Sequence, residues 1–237
     1  VILAFILSLI TAMIISASLG VFIERVAYRP LRKAPRLAPL LSAIGVSIIL
    51  MNLAALFFGT KSRKFDYPFD NTTIQISETS ITPNQIMIIV TGLIMMIALK
   101  LFIDKSKLGK AMRATSQNQS VAALMGINVN FIISLTFAIG SALAAVAGIL
   151  MSLEFKLYPT MGQMAGLKAF IAAVVGGIGN ISGAMLGGIL LGLLETFGVV
   201  ILGIPQGLKD TIAFSVLIII LLVKPSGLLI KNIREKV

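Results

Sequence analysis

Few side chains in this sequence are able to do acid–base or nucleophilic chemistry, and the most informative is a carboxylate in apolar surroundings. Glu195 follows Leu193 and Leu194 and precedes Phe197. Because a carboxylate is costly in hydrocarbon, Glu195 should face a polar cavity, pair with another group, or lie near an outer interface. Cysteine and histidine are both absent, so thiolate nucleophiles, imidazole bases and common zinc sites cannot form within the sequence. We therefore expect no catalytic residue, no metal site and no cofactor.

The composition indicates the environment that surrounds these groups. Hydrophobic residues make up 57% of the sequence and charged residues 12%, whereas soluble domains carry about 25% charged residues. The apolar residues come in blocks of about 20, the length that crosses a bilayer. Backbone polar groups in lipid must pair within such blocks, which long unbroken apolar runs do as helices. The sequence predicts an all-α integral membrane protein, a polytopic bundle of transmembrane helices.

Five apolar blocks are predicted to be membrane spans, and a longer glycine-rich block needs a different account. The five blocks are residues 1–23, 37–58, 83–103, 131–153 and 205–223. The glycine-rich block, 165–202, is too long for one helix and is interrupted at 176–180. A hairpin and a re-entrant segment both fit this block.

The charges predict the orientation of the spans. Lys and Arg are enriched in cytoplasmic loops, and the net charge of +11 lies in three segments, 24–36, 104–130 and 224–237. Their basic residues, with Lys100 just before the second segment, are Arg25, Arg29, Arg32, Lys33, Arg36, Lys100, Lys105, Lys107, Lys110, Arg113, Lys224, Lys231, Arg234 and Lys236, against Glu24, Asp104 and Glu235. Elsewhere bases and acids balance. We predict that these segments, including the C-terminus, are cytoplasmic membrane anchors rather than nucleic-acid contacts, and that 59–82 and 153–164 lie outside.

Small residues mark the glycine-rich block and one other span. The block's candidate positions are Gly176, Gly177, Gly179, Asn180, Gly183 and Gly187. Such residues allow helix backbones to approach closely, and broken backbone at membrane depth can also line a transport path. Both roles remain open. A second small-residue face, built on Gly140, Ser141, Ala144, Ala145 and Gly148, is a plausible packing partner.

The segment 104–130 predicts a short amphipathic helix between two spans. Ser116 is a reasonable N-cap and Gly126 a reasonable residue for the position after the last turn. Val121, Leu124 and Met125 would form one apolar face. Such a helix on the cytoplasmic side suits docking into a groove on a partner protein, and a helix lying on the lipid surface is the alternative.

Several long motifs resemble one family, the LivH-type permeases of ABC importers for branched-chain amino acids. The resemblance rests on Glu24–Arg32, Arg36–Leu40, Ser42–Ser47, Gly109–Arg113, Leu124–Asn128, Met164–Phe170, 176–188 and Val223–Leu229. It covers nearly the whole chain in order. The sequence starts inside an apolar run without an initiator Met, so we expect a further membrane segment before Val1, and the family's N-terminal signature is missing.

The resemblance implies the architecture and the partners. Residues 1–237 would be a single permease domain, truncated at the N-terminus, in the bacterial inner membrane. It would assemble with a homologous permease subunit, two cytoplasmic ATP-binding subunits and a periplasmic or lipid-anchored amino acid-binding protein. The resemblance further implies that 104–130 is the ATPase-coupling segment, with Ala122, Ala123 and Gly126 matching the usual pattern loosely. Ser120 stands where an acidic residue is usual.

The expected function is translocation of branched-chain or similar hydrophobic amino acids, without enzymatic activity. The sequence has no Gly-x-x-x-x-Gly-Lys-Ser/Thr loop, so ATP hydrolysis would belong to the partner subunits. Alternatives are a permease of the same type for another small solute, such as urea or short amides, and a membrane scaffold without transport. An intramembrane enzyme would have little chemistry available without His and Cys.

Overall fold

The computed structural model describes residues 2–35, 37–64, 74–76, 79–177, 179–201, 203, 205–224 and 227–228. Helices make up nearly all of the regular structure in these residues. The predicted orientation depends in part on charged residues that lie outside the described residues, namely Arg36, Asp66, Asp70, Glu78, Lys231, Arg234, Glu235 and Lys236. Val1, Leu202 and parts of the C-terminal motif, Pro225, Ser226 and Leu229, also lie outside them.

The helices follow the apolar blocks closely. They are α1 (Ile2–Ile23), α2 (Leu37–Phe58), α3 (Pro83–Lys105), α4 (Lys107–Gln117), α5 (Gln119–Leu124), α6 (Val129–Glu154), α7 (Met161–Gly176), α8 (Ile181–Ile201) and α9 (Lys209–Val223). A π-helical turn, Glu24–Tyr28, continues α1, and short 3-10 turns cover Pro30–Lys33 and Gln206–Leu208. A small antiparallel hairpin pairs β1 (Ile74–Ile76) with β2 (Thr79–Ile81).

Six stretches of the described residues are long and apolar enough to cross a membrane. They are Leu3–Tyr28, Leu37–Phe58, Pro83–Lys105, Val129–Glu154, Ile181–Ile201 and Gln206–Val223. The predicted polytopic helical membrane protein is therefore confirmed. The third and fourth spans are slightly longer than predicted, because Ser106 and Asn128 mark the helix boundaries rather than the last and first apolar residues.

The chain divides into two compact units, residues 1–160 and 161–237. In the first unit α1 and α6 run antiparallel: the Ser16 hydroxyl donates to the Ser141 carbonyl oxygen over 2.7 Å, and the Ser134 hydroxyl reaches Glu24 at the other end of α1. A Cβ on Gly20 would collide with the Ser141 side chain, so the helices touch backbone to side chain there. Phe5, Leu9 and Val146 form the buried core beside these contacts.

The second unit is built on α7, α8 and α9 around its own buried core. Ile171 and Val175 of α7 pack with Leu191 of α8, and with Ala213 and Ile220 of α9. The glycine-rich block is interrupted where it was predicted to be: α7 ends at Gly176 and α8 begins at Ile181. Gly177 and Gly179 have φ of +105° and +92°, which side chains with a Cβ rarely adopt. How α7 and α8 sit in the membrane remains a prediction.

Candidate functional site

The predicted coupling segment forms two short helices rather than one. Ser106 caps α4 by accepting a hydrogen bond from the Gly109 N–H over 2.8 Å. A Cβ on Gly109 would overlap the Ile103 backbone, so the sharp turn from α3 into α4 requires glycine at this position. α4 therefore leaves the third span at a fixed angle.

The prediction of Ser116 as an N-cap is wrong. Ser116 lies inside α4, where its hydroxyl donates to the Arg113 carbonyl oxygen over 2.8 Å. Asn118 caps α5 instead, because its side-chain oxygen accepts from the N–H groups of Ser120 and Val121 at 3.0 and 3.1 Å. Gly126 has φ of +81° after the last turn of α5, as predicted.

The residues of α5 and its end divide into an inner and an outer side. Ala122 is only 3% exposed, and its carbonyl oxygen accepts from the Ile127 N–H over 3.1 Å. Leu124 and Met125 are 87% and 78% exposed, and Val121 and Ala123 are also exposed. The predicted apolar face, Val121, Leu124 and Met125, is thus exposed. Ala122 lies on the buried side of the same turn.

Two glycines of α8 bring the backbones of α7 and α8 into contact. A Cβ on Gly183 would overlap the Gly176 carbonyl oxygen, and one on Gly187 would overlap the Ala172 carbonyl oxygen. Gly192 on the same helix has open space instead, because a Cβ added there would have nothing within 4 Å. Close packing is therefore a property of Gly183 and Gly187 and does not extend to every glycine of the glycine-rich block.

The loop between α7 and α8 caps the second helix. The side-chain oxygen of Asn180 accepts from the Gly183 N–H over 3.1 Å, and the Asn180 N–H donates to the Gly177 carbonyl oxygen over 3.1 Å. On the other side, the Leu228 N–H donates to the Val175 carbonyl oxygen over 2.9 Å. The loop is held from both sides within its unit, although Ile178 lies outside the described residues.

Glu195 is buried in the second unit, 5% exposed, and it is paired. The Lys168 Nζ lies 2.9 Å from Glu195 Oε1 and 2.7 Å from Asp210 Oδ1, while the Lys209 Nζ lies 3.6 Å from Glu195 Oε2. These four side chains, from α7, α8 and the start of α9, form what we call the Glu195 cluster. Two acids and two bases cancel in charge, and Lys168 serves both acids. The prediction of a paired Glu195 fits this geometry, but Lys168 was not singled out as its partner.

A second buried carboxylate, which the sequence reasoning missed as a site, lies in the first unit. Glu24 is 0% exposed, forms an ion pair with Arg32, and accepts a hydrogen bond from the Ser134 hydroxyl over 2.6 Å. Arg32 also donates to the Asn130 side-chain oxygen over 2.6 Å. We call these four side chains the Glu24 cluster. The sequence signal for the Glu24 cluster was a single acid, Glu24, at the start of a basic run. The spacing of residues could not show that Asn130 and Ser134 of α6 complete the cluster.

Neither cluster suggests catalysis. Both consist of carboxylates paired with cations, and no three acidic side chains come together in the described part of the chain as a metal site would require. The Glu24 cluster can fix the end of α1 against α6, because one guanidinium bonds to both helices. The Glu195 cluster can hold a polar position within three apolar helices and can exchange partners, because Lys168 is shared by Glu195 and Asp210.

Comparison with known proteins identifies relatives along nearly the whole sequence. Residues 1–221 match the family described as branched-chain amino acid transport system / permease component. The chain is 45% identical over 233 residues to the high-affinity branched-chain amino acid transport system permease protein BraD of Pseudomonas aeruginosa, covering 95% of this chain and 75% of that protein.

Two enterobacterial proteins give similar values. Identity to the permease protein LivH of Salmonella typhimurium is 44% over 233 residues, covering 96% of this chain and 75% of that protein. Identity to LivH of Escherichia coli is 42% over 231 residues, covering 95% and 74% respectively. No solved structure matches the chain. With its six apolar helices and a family match from residue 1 to 221, this multi-pass membrane protein belongs to the permease components of branched-chain amino acid transport systems.

Proposed function

We propose that this chain is a permease subunit of an ATP-driven ABC importer that carries branched-chain amino acids across the bacterial inner membrane. It works with a homologous permease subunit, two cytoplasmic ATP-binding subunits and an amino acid-binding protein outside the membrane. The family membership and the names of the relatives support this function over a urea or short-amide permease and over a scaffold without transport. The binding protein selects which amino acid is delivered.

The coupling role rests on one observation, the outward apolar surface of α5. Leu124, the last residue of α5, and Met125, which follows it, are large, apolar and almost fully exposed, yet the inner side of the same helix, at Ala122, is buried. Asn118 and Gly126 fix both ends of this helix. An exposed apolar surface on a short, fixed helix suits a groove on a partner protein. The preceding helix, α4, connects α5 to the third span through the turn at Gly109. Movement of the ATP-binding subunits would thereby reach the membrane helices.

The translocation path is proposed to involve the Glu195 cluster and the close packing of α7 on α8. A buried carboxylate between apolar helices is expensive unless it is paired, and such residues mark transport pathways. Lys168 contacts both Glu195 and Asp210, so a small rearrangement of α7, α8 or α9 exchanges one ion pair for another. Alternating access needs rearrangements of this kind, in which two arrangements of similar energy interconvert.

The coupling role is tested by the double substitution Leu124→Asp/Met125→Asp. Two charges in the centre of the interface should abolish copurification of the cognate ATP-binding subunits, because each central apolar side chain of an interface contributes at least about 1–2 kcal/mol. ATP-driven leucine uptake should be lost together with it, while the amount of permease in the membrane stays normal.

The matched control is Ser116→Asp/Gln119→Asp, which adds the same charge at exposed polar positions of the same segment. It should keep the ATP-binding subunits bound. If the Leu124/Met125 variant retains them and instead detaches α5 from lipid, α5 is a surface helix and the coupling role is wrong. If both variants lose the ATP-binding subunits to the same extent, the added charge alone explains the loss.

The proposed orientation, with 104–130 and the C-terminus in the cytoplasm, has its own test. The sequence has no cysteine, so single cysteines are unique labelling sites. Thr60→Cys, exposed after α2, should react with a membrane-impermeant thiol reagent in intact cells, and Ser116→Cys should react only after lysis. Labelling of Ser116→Cys in intact cells would reverse the orientation.

A further inference from the structure

A cavity of about 290 Å³ opens beside the end of α1 in the first unit. Its lining residues are Arg25, Arg29, Asn128, Asn130, Phe131 and Ser134. The wall therefore combines two guanidinium groups with side-chain amides and a hydroxyl, at the N-terminus of α6. We propose that this cavity binds the phosphate headgroup of an anionic phospholipid.

The charge of the cavity is positive and uncompensated. Arg25 and Arg29 lie four residues apart in one helical stretch, an arrangement in which like charges repel. Neither guanidinium forms an ion pair or a side-chain hydrogen bond with any residue that the structure describes. The nearby carboxylate of Glu24 is fully buried and is already paired with Arg32. Both arginines are exposed, so their guanidinium groups are accessible to an anion from outside the chain.

The donors in the cavity match phosphate. Guanidinium groups bind phosphate oxygens with paired N–H donors, and the partial positive charge of a helix N-terminus adds to the attraction. The Asn128 side chain already caps α6 by accepting from the Phe131 N–H, and Asn130 accepts from Arg32. Their oxygens are thus occupied, which leaves the amide NH₂ groups of both side chains as donors.

Apolar side chains beside the arginines favour a lipid over a free phosphate ion. Phe22 and Val26 are exposed and share a helix face with Arg25 and Arg29, at spacings of three and four residues. Phe131 in the cavity wall is also exposed. These residues belong to or adjoin the spans Leu3–Tyr28 and Val129–Glu154. In a phospholipid the acyl chains lie next to the phosphate. On this surface, exposed apolar side chains likewise lie next to the two arginines.

The test measures the binding of spin-labelled phosphatidylglycerol relative to phosphatidylcholine in vesicles that contain the reconstituted chain. Arg25→Gln/Arg29→Gln should reduce the preference for phosphatidylglycerol by more than about 25-fold, because it removes two guanidinium donors to the phosphate in addition to two surface charges that each strengthen anionic lipid binding about fivefold. The charge-matched control Lys105→Gln/Lys110→Gln removes two exposed cations elsewhere in the same unit and should cause a clearly smaller fall, the part that surface charge alone explains. Arg25→Lys/Arg29→Lys, which keeps the charge, should retain most of it and shows that the chain still folds.

Three results would overturn the proposal. An unchanged preference in Arg25→Gln/Arg29→Gln would mean that the cavity does not bind lipid. An equal fall in the control would mean that the preference comes from the overall charge of the unit. Displacement of the labelled lipid by inorganic phosphate as effectively as by unlabelled phosphatidylglycerol would make the site one for free phosphate.

Discussion

Two buried carboxylates among the described residues, Glu24 and Glu195, differ in how they are paired. Glu24, in the first unit, has one cation, Arg32, which is bound to it and to Asn130, and the Ser134 hydroxyl occupies its second oxygen. Glu195, in the second unit, shares its cation Lys168 with another acid. The first arrangement gives Glu24 a single cation among the described residues. In the second, Lys168 contacts both acids, and Lys209 contacts Glu195.

This difference suggests two roles: the Glu24 cluster stabilises the fold, and the Glu195 cluster is able to rearrange. A buried ion pair with a single partner resists change, because any movement leaves a charge unpaired in a low-dielectric environment. A shared cation can move from one acid to the other while keeping at least one ion pair. We therefore expect substitutions in the Glu24 cluster to reduce stability and those in the Glu195 cluster to reduce transport.

The largest loss of stability should come from Arg32→Gln. It leaves the fully buried Glu24 without its cation, and breaking a buried pair by removing one partner costs about 3–5 kcal/mol. Thermal unfolding of the purified chain, followed by size-exclusion chromatography, should show a marked fall in midpoint and in the yield of folded protein.

The double substitution Glu24→Gln/Arg32→Gln separates charge from packing. With both charges removed, it should recover most of the lost stability, since no unpaired charge remains. If the double variant is as unstable as Arg32→Gln alone, the cluster stabilises the fold through shape and hydrogen bonds rather than through its ion pair.

A smaller loss should follow Gly187→Ala, which tests whether close packing of α7 on α8 holds the Glu195 cluster together. The added methyl overlaps the Ala172 carbonyl oxygen, and overpacking of this kind costs about 2 kcal/mol. The shift of α8 from α7 would also lengthen the Lys168–Glu195 contact. Thermal midpoint and leucine uptake should both fall.

The control for this prediction is Gly192→Ala on the same helix. Nothing lies within 4 Å of its added methyl, and alanine is the better helix former, so stability should stay the same or rise. If Gly187→Ala and Gly192→Ala behave alike, α7 and α8 do not depend on close backbone contact.

Glu195→Gln should affect transport more than stability. Lys168 keeps Asp210 as a partner, so the loss of stability should be only about 1 kcal/mol, the scale of one hydrogen bond. Uptake of leucine should fall well beyond what the amount of folded protein explains, and Glu195→Leu, which removes the polar group, should be worse. Wild-type uptake in both variants would make the cluster a static anchor like the Glu24 cluster.

The smallest effect should come from an ion pair that is exposed. Asp104 and Arg113 lie 3.0 Å apart and are about half exposed, and such pairs contribute at most about 1 kcal/mol. Asp104→Asn should therefore leave the thermal midpoint and uptake nearly unchanged. A loss as large as that of Arg32→Gln would show that burial does not decide the strength of these pairs.

Local features of the fold were predictable because they depend on neighbouring residues. Apolar block length determined the spans, and α2 begins and ends where its block does. Positive φ at Gly126 and the break after Gly176 followed from glycine placed next to turn signals. The N-cap of α5 was assigned two residues too early, since both Ser116 and Asn118 can cap and only the backbone geometry distinguishes them.

Contacts between distant residues were not predictable from one sequence. Ser134 is 110 positions from Glu24, and Lys168 is 27 positions from Glu195, so no spacing rule connects them. Gly183 and Gly192 are both glycines of α8, yet of these two only Gly183 touches another backbone. The sequence indicates which residues are unusual in lipid, and helix packing decides which residues they meet.

The central claim, that this chain is the membrane path of an ATP-driven importer for branched-chain amino acids, is tested most directly by uptake into proteoliposomes. The chain is reconstituted with its second permease subunit and ATP-binding subunits, with binding protein and radiolabelled leucine on one side and ATP on the other. We predict leucine accumulation that requires ATP and is lost when Leu124→Asp/Met125→Asp replaces the native chain. Accumulation of urea but not of leucine, or no ATP-dependent accumulation of either solute by the intact assembly, would contradict the account.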